Sequence, residues 1–135
     1  MAHILSFVNY EAGNGRHPMT RGPADLRRFS RALSRLGHPE RIAPAVHVAG
    51  TNGKGSTAAM IASLLAAEER RVGLYTSPHL VDMTERIRVN GRPISRARFA
   101  RAAAQAARVV DGKPGAGFRT TFEILTALAF LAFRE

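Results

Sequence analysis

A glycine-rich stretch between two apolar segments is the feature that most restricts how this chain can fold. It reads Gly50-Thr51-Asn52-Gly53-Lys54-Gly55-Ser56. The preceding Ala45–Ala49 is short and contains β-branched residues, which predicts a buried strand, and Ser56–Glu69 predicts a helix. Glycines let backbone N–H groups turn inward around an anion, and the start of a helix carries partial positive charge. The stretch therefore predicts a phosphate-binding loop between a strand and a helix.

Two side chains of this loop suit a bound nucleotide. Lys54 would bring positive charge to the outer phosphates, and the Ser56 hydroxyl would bind a phosphate-associated magnesium ion. The spacing departs from the standard pattern, because Val48 stands in place of a glycine and Gly55 separates Lys54 from the hydroxyl. A glycine-rich turn without a ligand is the alternative, and the strand and helix predicted on either side favour phosphate binding.

The composition fits a globular protein of the cytoplasm. The chain has 135 residues, 45% of them apolar, so it can form one domain around a hydrophobic core. It contains no cysteine, which excludes disulfides and thiolate metal sites and fits a reducing compartment. No secretory signal pattern is visible, and the longest apolar run, Ile124–Phe133, is too short to span a bilayer. We therefore expect a cytoplasmic location and no membrane contact.

The charge balance is strongly basic, with 20 basic and 10 acidic residues and a formal net charge of +10. The arginines are dispersed along the chain, and no aromatic residues alternate with them to stack on bases. This distribution favours a solvated surface over a nucleic-acid interface. A non-catalytic nucleotide-binding or nucleic-acid-binding module is the alternative, and it would bind nucleic acid with a steep salt dependence.

The segments around the glycine-rich loop predict an α/β fold. Asp25 is placed to cap a helix that extends to about Leu36 and ends at Gly37. Val72–Thr76 is a second apolar strand, so residues 45–76 form a strand–loop–helix–strand unit. Such a unit normally joins two parallel strands through a right-handed crossover.

The second half of the chain predicts a hairpin and two helices. Asn90-Gly91 is a strong hairpin signal, because both turn positions need positive φ. Ser95 is expected to cap a helix from Arg96 to about Val110, and Thr120–Glu135 predicts a third, apolar helix. With few elements available to cover it, that last helix is expected to leave apolar residues partly exposed. These residues are Leu125, Leu128, Phe130 and Leu131.

Three motifs occur in an order and spacing that match a known family. The first is the loop Gly50–Ser56, and the second is Tyr-Thr-Ser-Pro-His-Leu at Tyr75–Leu80, followed by Thr-Glu-Arg-Ile at Thr84–Ile87. The third is Thr-Thr-Phe-Glu at Thr120–Glu123, with Thr126-Ala127 after it. Together they resemble the folylpolyglutamate synthase and dihydrofolate synthase family, cousins of the Mur peptidoglycan ligases, over about residues 26–133. The resemblance implies an α/β, Mur-ligase-like central domain with a phosphate loop, a parallel sheet and flanking helices, incomplete in this chain.

The resemblance also implies an ATP-dependent amide ligase. Enzymes of this family transfer the γ-phosphate of ATP to a carboxylate, and the amine of L-glutamate attacks the resulting acyl phosphate. The carboxylate would belong to a folate or to dihydropteroate. The residues that the resemblance assigns to ATP are Thr51, Asn52, Gly53, Lys54, Gly55 and Ser56. The magnesium ligands that it implies are Ser56, Ser77 and Glu123, all of which offer oxygen atoms that suit this ion.

Simpler explanations compete for several of these residues. A Ser-Pro pair after a strand is a common turn, which would account for Ser77. Thr120 and Glu123 have the spacing of a capping box, so the carboxylate could serve the helix start. His47, inside the predicted strand, is expected to be a packed or hydrogen-bonded core residue. Weaker candidates for substrate contact are His79, Arg86 and Asp25.

The chain is much shorter than the enzymes it resembles. We therefore expect residues 1–135 to form an amino-terminal part of the ATP-binding domain, without its carboxyl-terminal part or the second domain. Such a chain is expected to lack ligase turnover by itself, and a polypeptide carrying the missing half is a candidate partner. Two alternatives stay open. One is a part of a Mur-type ligase for a cell-wall precursor, which Gly55 and Ser77–Leu80 disfavour, and the other is a decayed fragment without function.

Overall fold

The protein is described by a computed structural model, which covers residues 23–110, 117–118 and 120–135. Helices and one small sheet form an α/β structure, as predicted. The chain divides into two compact units. The first unit comprises the described part of residues 1–42 together with residues 100–135, and the second comprises Ala43–Phe99.

Helix α1 of the first unit extends over Pro23–Arg35. It starts two residues before the predicted cap, so the expectation that Asp25 caps this helix is wrong. Proline suits the first turn, because its fixed φ is helical and its missing N–H would have no partner there. The Asp25 side chain lies outside the described part of the molecule. The predicted end is confirmed, since Gly37 has φ 76° and the backbone N–H of His38 donates to the carbonyl of Leu33 at 3.1 Å.

Helix α4, Thr121–Arg134, supplies more buried side chains to the first unit than any other described element. Leu125 and Leu128 are fully buried and Leu131 is 2% exposed, so the prediction that these leucines stay partly exposed is wrong. For Phe130, which is partly exposed, the prediction is confirmed. Segments of the same unit cover this helix instead, including the short 3₁₀ helix Pro39–Arg41. At its end, the Arg134 guanidinium donates to the carbonyl of Leu36 at 3.0 Å, which ties α4 to the chain just after α1.

The second unit contains a three-stranded sheet of β1 (Gly73–Tyr75), β2 (Ile87–Val89) and β3 (Arg92–Pro93). Strands β2 and β3 form the hairpin that the sequence predicts. Asn90 and Gly91 take the positive φ angles of 48° and 76° that such a two-residue turn requires. Strand β1 pairs with β2 antiparallel, with Tyr75 opposite Ile87.

The parallel sheet that the sequence predicts is not formed by the described residues, whose strand pairs are both antiparallel. Ala45–Ala49 is not a strand, and most of its residues are exposed. A strand is stabilised by hydrogen bonds to a neighbouring strand, and within the described ranges this segment pairs with none. The expectation of a buried His47 fails for the same reason, since this side chain is exposed.

The second unit also contains the helix that follows the glycine-rich loop, and one more helix follows the hairpin. Helix α2, Lys54–Ala67, follows the glycine-rich loop, and none of its residues is buried. Helix α3, Arg96–Val110, begins as predicted, with the N–H of Arg98 donating to the hydroxyl of Ser95 at 3.2 Å. In the part of the chain that the structure describes, no helix has both the length and the apolar character needed to cross a membrane.

Candidate functional site

The glycine-rich loop ends at a helix start that can bind an anion. Gly53 is the N-cap of α2 with φ 74°, a left-handed conformation that glycine adopts without steric cost. The N–H of Thr57 donates to the carbonyl of Gly53 at 2.9 Å and closes the first helical turn. The N–H groups that precede it in a first turn have no acceptor within a helix. The loop therefore presents backbone donors and the positive end of α2 at one place.

Lys54 is the first residue of α2 and holds the loop together. Its ammonium group donates to the carbonyl of Gly50 at 2.7 Å and to the carbonyl of Thr51 at 2.9 Å. An ammonium has three donors, and these contacts account for two of them. The side chain is in an exposed setting, so its charge is accessible to an anion at the loop.

All six residues predicted to bind ATP lie together in this loop and the first turn of α2. Each of them is exposed, and no atom of the described residues beyond its chain neighbours lies within 4 Å of a Cβ built on Gly53. They are Thr51, Asn52, Gly53, Lys54, Gly55 and Ser56. The structure thus brings the predicted phosphate-binding residues to one accessible surface of the second unit.

Ser77 lies two residues after the carboxyl end of β1, in the same unit as the loop, and is exposed. The chain bends at Ser77, as a Ser-Pro pair after a strand predicts. The hydroxyls of Ser56 and Ser77 are both accessible, as magnesium ligands would have to be. A metal role for either serine stays a prediction.

The segment after Ser77 contains a network that the sequence analysis missed. The Glu85 carboxylate accepts three successive backbone N–H groups, from Leu80 at 3.0 Å, Val81 at 3.2 Å and Asp82 at 2.9 Å. Asp82 is the N-cap of the 3₁₀ helix Met83–Arg86, and with Glu85 it forms a capping box. An aspartate three residues before a glutamate is the sequence signal that could have revealed it.

Both carboxylates of this network are held in their charged form. The backbone N–H of Thr84 and then its hydroxyl lower the pKa of Asp82, and Arg96 adds to this with an ion pair at 2.9 Å. The backbone N–H groups of Asp82 and Leu80 lower the pKa of Glu85. Hydrogen bonds donated to a carboxylate favour its ionised state. The backbone at Leu80–Asp82 is therefore fixed at neutral pH.

His79 and Arg86, two of the weaker substrate candidates, contact each other. The Arg86 side chain is buried, with 3% of its surface exposed, and its Nε–H donates to Nδ1 of His79 at 2.7 Å. His79 itself is half-buried. The contact joins the segment that follows β1 to the last residue of the 3₁₀ helix Met83–Arg86, which precedes β2.

Glu123 belongs to the first unit, near the start of α4. Its backbone N–H donates to the hydroxyl of Thr120 at 3.0 Å, which confirms the Thr120 half of the predicted capping box. Its carboxylate lies 3.6 Å from the guanidinium of Arg28, and the two side chains are 19% and 18% exposed. The proposed magnesium role of Glu123 stays a prediction. The described residues contain no group of three or more histidine, aspartate or glutamate side chains arranged to hold a metal ion.

Comparison with curated proteins connects this loop to a group of ligases. The chain is 42% identical over 130 residues to the dihydrofolate synthase/folylpolyglutamate synthase of Mycobacterium tuberculosis, covering 89% of this chain and 26% of that protein. It is 46% identical over 112 residues to the protein of the same name from Bacillus subtilis, covering 82% of this chain and 26% of the relative. The chain thus spans about a quarter of the length of these relatives. No model of a protein family matched the chain.

Solved structures of folylpolyglutamate synthases (FPGS) resemble this chain in fold as well as in sequence. An FPGS complex with AMPPCP and folate matches 98% of this chain with a TM-score of 0.75 and 37% sequence identity. The match covers 31% of that structure. The α/β, Mur-ligase-like fold predicted from the sequence is therefore confirmed as a class, although the described sheet is antiparallel.

Proposed function

The chain is homologous to the folylpolyglutamate synthase and dihydrofolate synthase family, and from this premise we propose that it carries the phosphate loop of an ATP-dependent ligase. The ligase joins L-glutamate to the carboxylate of a folate or of dihydropteroate through an acyl phosphate. Its place of action is the cytoplasm. This chain supplies the nucleotide-binding loop and part of the surface around it.

The geometry at Lys54 carries this proposal. Gly53 has φ 74°, and α2 begins at the next residue. The ammonium of Lys54 contacts two carbonyls of the loop. Together these groups form a site with the donors that phosphate oxygens need. Phosphoryl transfer needs mainly positioning and neutralisation of developing negative charge. In this chain the N–H groups at the start of α2 would position the phosphates, and Lys54 would neutralise their charge.

A magnesium ion would complete this phosphate site by polarising the phosphoryl oxygens. The exposed hydroxyls of Ser56 and Ser77 fit such an ion, because magnesium prefers oxygen ligands and keeps several waters. Glu123 offers a carboxylate of the right chemistry, and to serve as a ligand it would have to share its charge with Arg28. The fit of the two serines supports the proposal, and the role of Glu123 rests on the resemblance alone.

The alternatives are less well supported. A Mur-type ligase for a cell-wall precursor would explain the loop, but the relatives above are named for folate and dihydrofolate substrates. A nucleic-acid-binding module would explain the charge of +10 but not the match to an FPGS complex with AMPPCP and folate. We therefore retain the folate-directed ligase as the proposed function.

A reconstitution experiment tests this function. The chain is mixed with a polypeptide spanning the rest of the Bacillus subtilis relative, and phosphate release from ATP is measured with L-glutamate and dihydropteroate or folate. We expect no release by either polypeptide alone, release by the mixture, and loss of release with Lys54→Ala. Absence of release from a folded, associated mixture would overturn the proposal. Release by this chain alone would overturn the expectation that it needs the missing part.

A further inference from the structure

Helix α2 has two apolar faces, and one of them is open to solvent. The first face is half-buried, and the helix contacts strand β1 of the same unit. It consists of Ala58, Ile61, Ala62 and Leu65, at the spacing of one side of a helix. On the remaining side, Met60 is 66% exposed and Leu64 is 71% exposed. Ser63 and Ala67 lie beside them and are exposed as well, and these four residues are called the outer face of α2.

The outer face has the composition of an interface. No charged residue occurs between Lys54 and Glu68, whereas a helix face that stays in water normally carries charged or polar side chains. Met60 and Leu64 are four residues apart, so their side chains are neighbours on the helix surface. Charged residues stand at both ends of the helix, at Lys54 and at Glu68–Arg71. An apolar patch with a polar rim is typical of a protein-interaction site.

The outer face begins next to the glycine-rich loop. Ser56 lies four residues before Met60, and residues at this spacing share one side of a helix. The rise between them is about 6 Å. The segment before the loop adds to the exposed apolar surface of this unit, since Val46 is 66% exposed. A polypeptide that covers the outer face would therefore lie about one helical turn from the residues proposed to hold phosphates.

The lengths of the relatives indicate what covers this face. The matched region is 42% and 46% identical in the two curated relatives, and about three quarters of each relative lies outside it. A second copy of this chain is a poorer candidate, because each copy carries a formal net charge of +10 and two copies repel each other.

We infer that the outer face of α2 is the docking surface for the polypeptide that corresponds to the remaining part of the ligase. The inference rests on the proposed function, which needs such a part, and it names the surface that receives it. Docking removes Met60 and Leu64 from water, which supplies a hydrophobic driving force. It also places side chains of the partner next to the nucleotide site, because the outer face and the loop adjoin.

The first test measures association by sedimentation velocity, with this chain and a polypeptide spanning the rest of the Bacillus subtilis relative. We expect a one-to-one complex with the wild-type chain. Leu64→Lys should weaken it at least about tenfold, because lysine is compatible with the helix but places an unpaired charge in an apolar contact. Leu26→Lys makes the same change at a leucine of α1 that is 74% exposed, and should bind like the wild type.

Four results of this measurement would overturn the inference. They are absence of a complex with the wild-type chain, equal binding by Leu64→Lys, equal loss of binding by both variants, and a dimer of this chain that Leu64→Lys disrupts. Circular dichroism of the variants shows that helix content is retained.

The second test locates the contact without a charged variant. The chain has no cysteine, so Ser63→Cys gives one attachment site for a trifluoromethyl label on the outer face. Ala104→Cys gives one at an exposed position of α3. When the same partner polypeptide is added, we expect the ¹⁹F resonance at position 63 to shift and the resonance at position 104 to stay constant. A complex that leaves the first resonance unchanged, or shifts both equally, would contradict the inference.

Association and phosphate release separate failure of this inference from failure of the proposed function. If the complex forms through the outer face but releases no phosphate from ATP in the reconstitution assay, the docking surface stands and the proposed function is wrong. If the mixture releases phosphate and Leu64→Lys changes neither release nor association, the proposed function stands and the docking surface is wrong.

Discussion

The ammonium of Lys54 lies 2.7 Å from the backbone carbonyl of Gly50, so the glycine-rich loop is closed by its own lysine. The contact with the carbonyl of Thr51 at 2.9 Å strengthens this closure. A phosphate that enters the loop would compete with these neutral carbonyls for the same donors. A charged acceptor forms the stronger hydrogen bond, so Lys54 links the conformation of the loop to its occupancy.

The two glycines beside Lys54 should respond in opposite ways to substitution by alanine. Gly53 has φ 74° and Gly55 lies within the helix, and an added Cβ would meet nothing within 4 Å at either position. An alanine side chain would therefore meet no steric clash at either position, and the two sites differ only in their backbone conformation. We expect Gly53→Ala to lower the free energy of unfolding by about 1–2 kcal/mol and Gly55→Ala to raise it by up to about 1 kcal/mol.

Urea unfolding followed by circular dichroism measures both glycine variants. Equal destabilisation by the two substitutions would show that Gly53 does not need its left-handed conformation in solution. The wild-type chain and Gly91→Ala, which places alanine at φ 76° in the hairpin turn, provide the references. The hairpin variant should behave like Gly53→Ala.

A matched pair of leucines tests where the stability of the chain resides. Leu128 is fully buried in α4, whereas Leu64 of α2 is 71% exposed. We expect Leu128→Ala to destabilise the protein by about 2–5 kcal/mol, because it removes buried surface and leaves a cavity. Leu64→Ala should change stability by less than about 0.5 kcal/mol. A cost for Leu64→Ala as large as that for Leu128→Ala, in the same unfolding assay, would mean that α2 is covered in solution.

The backbone conformation at Leu80–Asp82 should be lost at acidic pH. The hydrogen bonds that Asp82 and Glu85 accept lower the pKa values of both carboxyl groups. Their contribution to stability is therefore fully present above their ordinary pKa values of about 4. It is lost as the pH falls through the lowered pKa values. Amide resonances of Leu80 and Val81, followed by NMR from neutral pH to below pH 4, should move together. With Glu85→Gln, which keeps an acceptor but not the charge, that movement should vanish. Resonances that stay constant in the wild-type chain would contradict the network.

Local signals in the sequence predicted local structure well. Asn90-Gly91 specifies its turn through positive φ, and Ser95 and Thr120 cap the helices that follow them. The glycine-rich turn into α2 was predicted because its glycines, its lysine and the following helix are consecutive in the chain, and its phosphate-binding role stays a prediction. Each of these features depends on contacts over a few residues, which is why the sequence alone was sufficient.

Features that depend on distant partners were not predictable in this way. The strand expected at Ala45–Ala49 lacks a neighbour among the described residues, and the leucines of α4 are covered by segments far away in the sequence, such as Pro39–Arg41. The contact between His79 and Arg86 joins residues seven apart through a turn whose geometry no local rule specified. The roles of Ser77 and Glu123 as metal ligands remain predictions.

Calorimetric titration of the chain with AMPPCP and magnesium tests the central claim, that this loop binds nucleotide phosphates. We predict binding to the wild-type chain and, because charge-assisted hydrogen bonds are lost, an affinity at least about tenfold lower for Lys54→Ala. Arg70→Ala, which removes an exposed positive charge of the same unit, should bind like the wild type. A folded wild-type chain that does not bind, or a Lys54→Ala variant that binds equally well, would contradict the account.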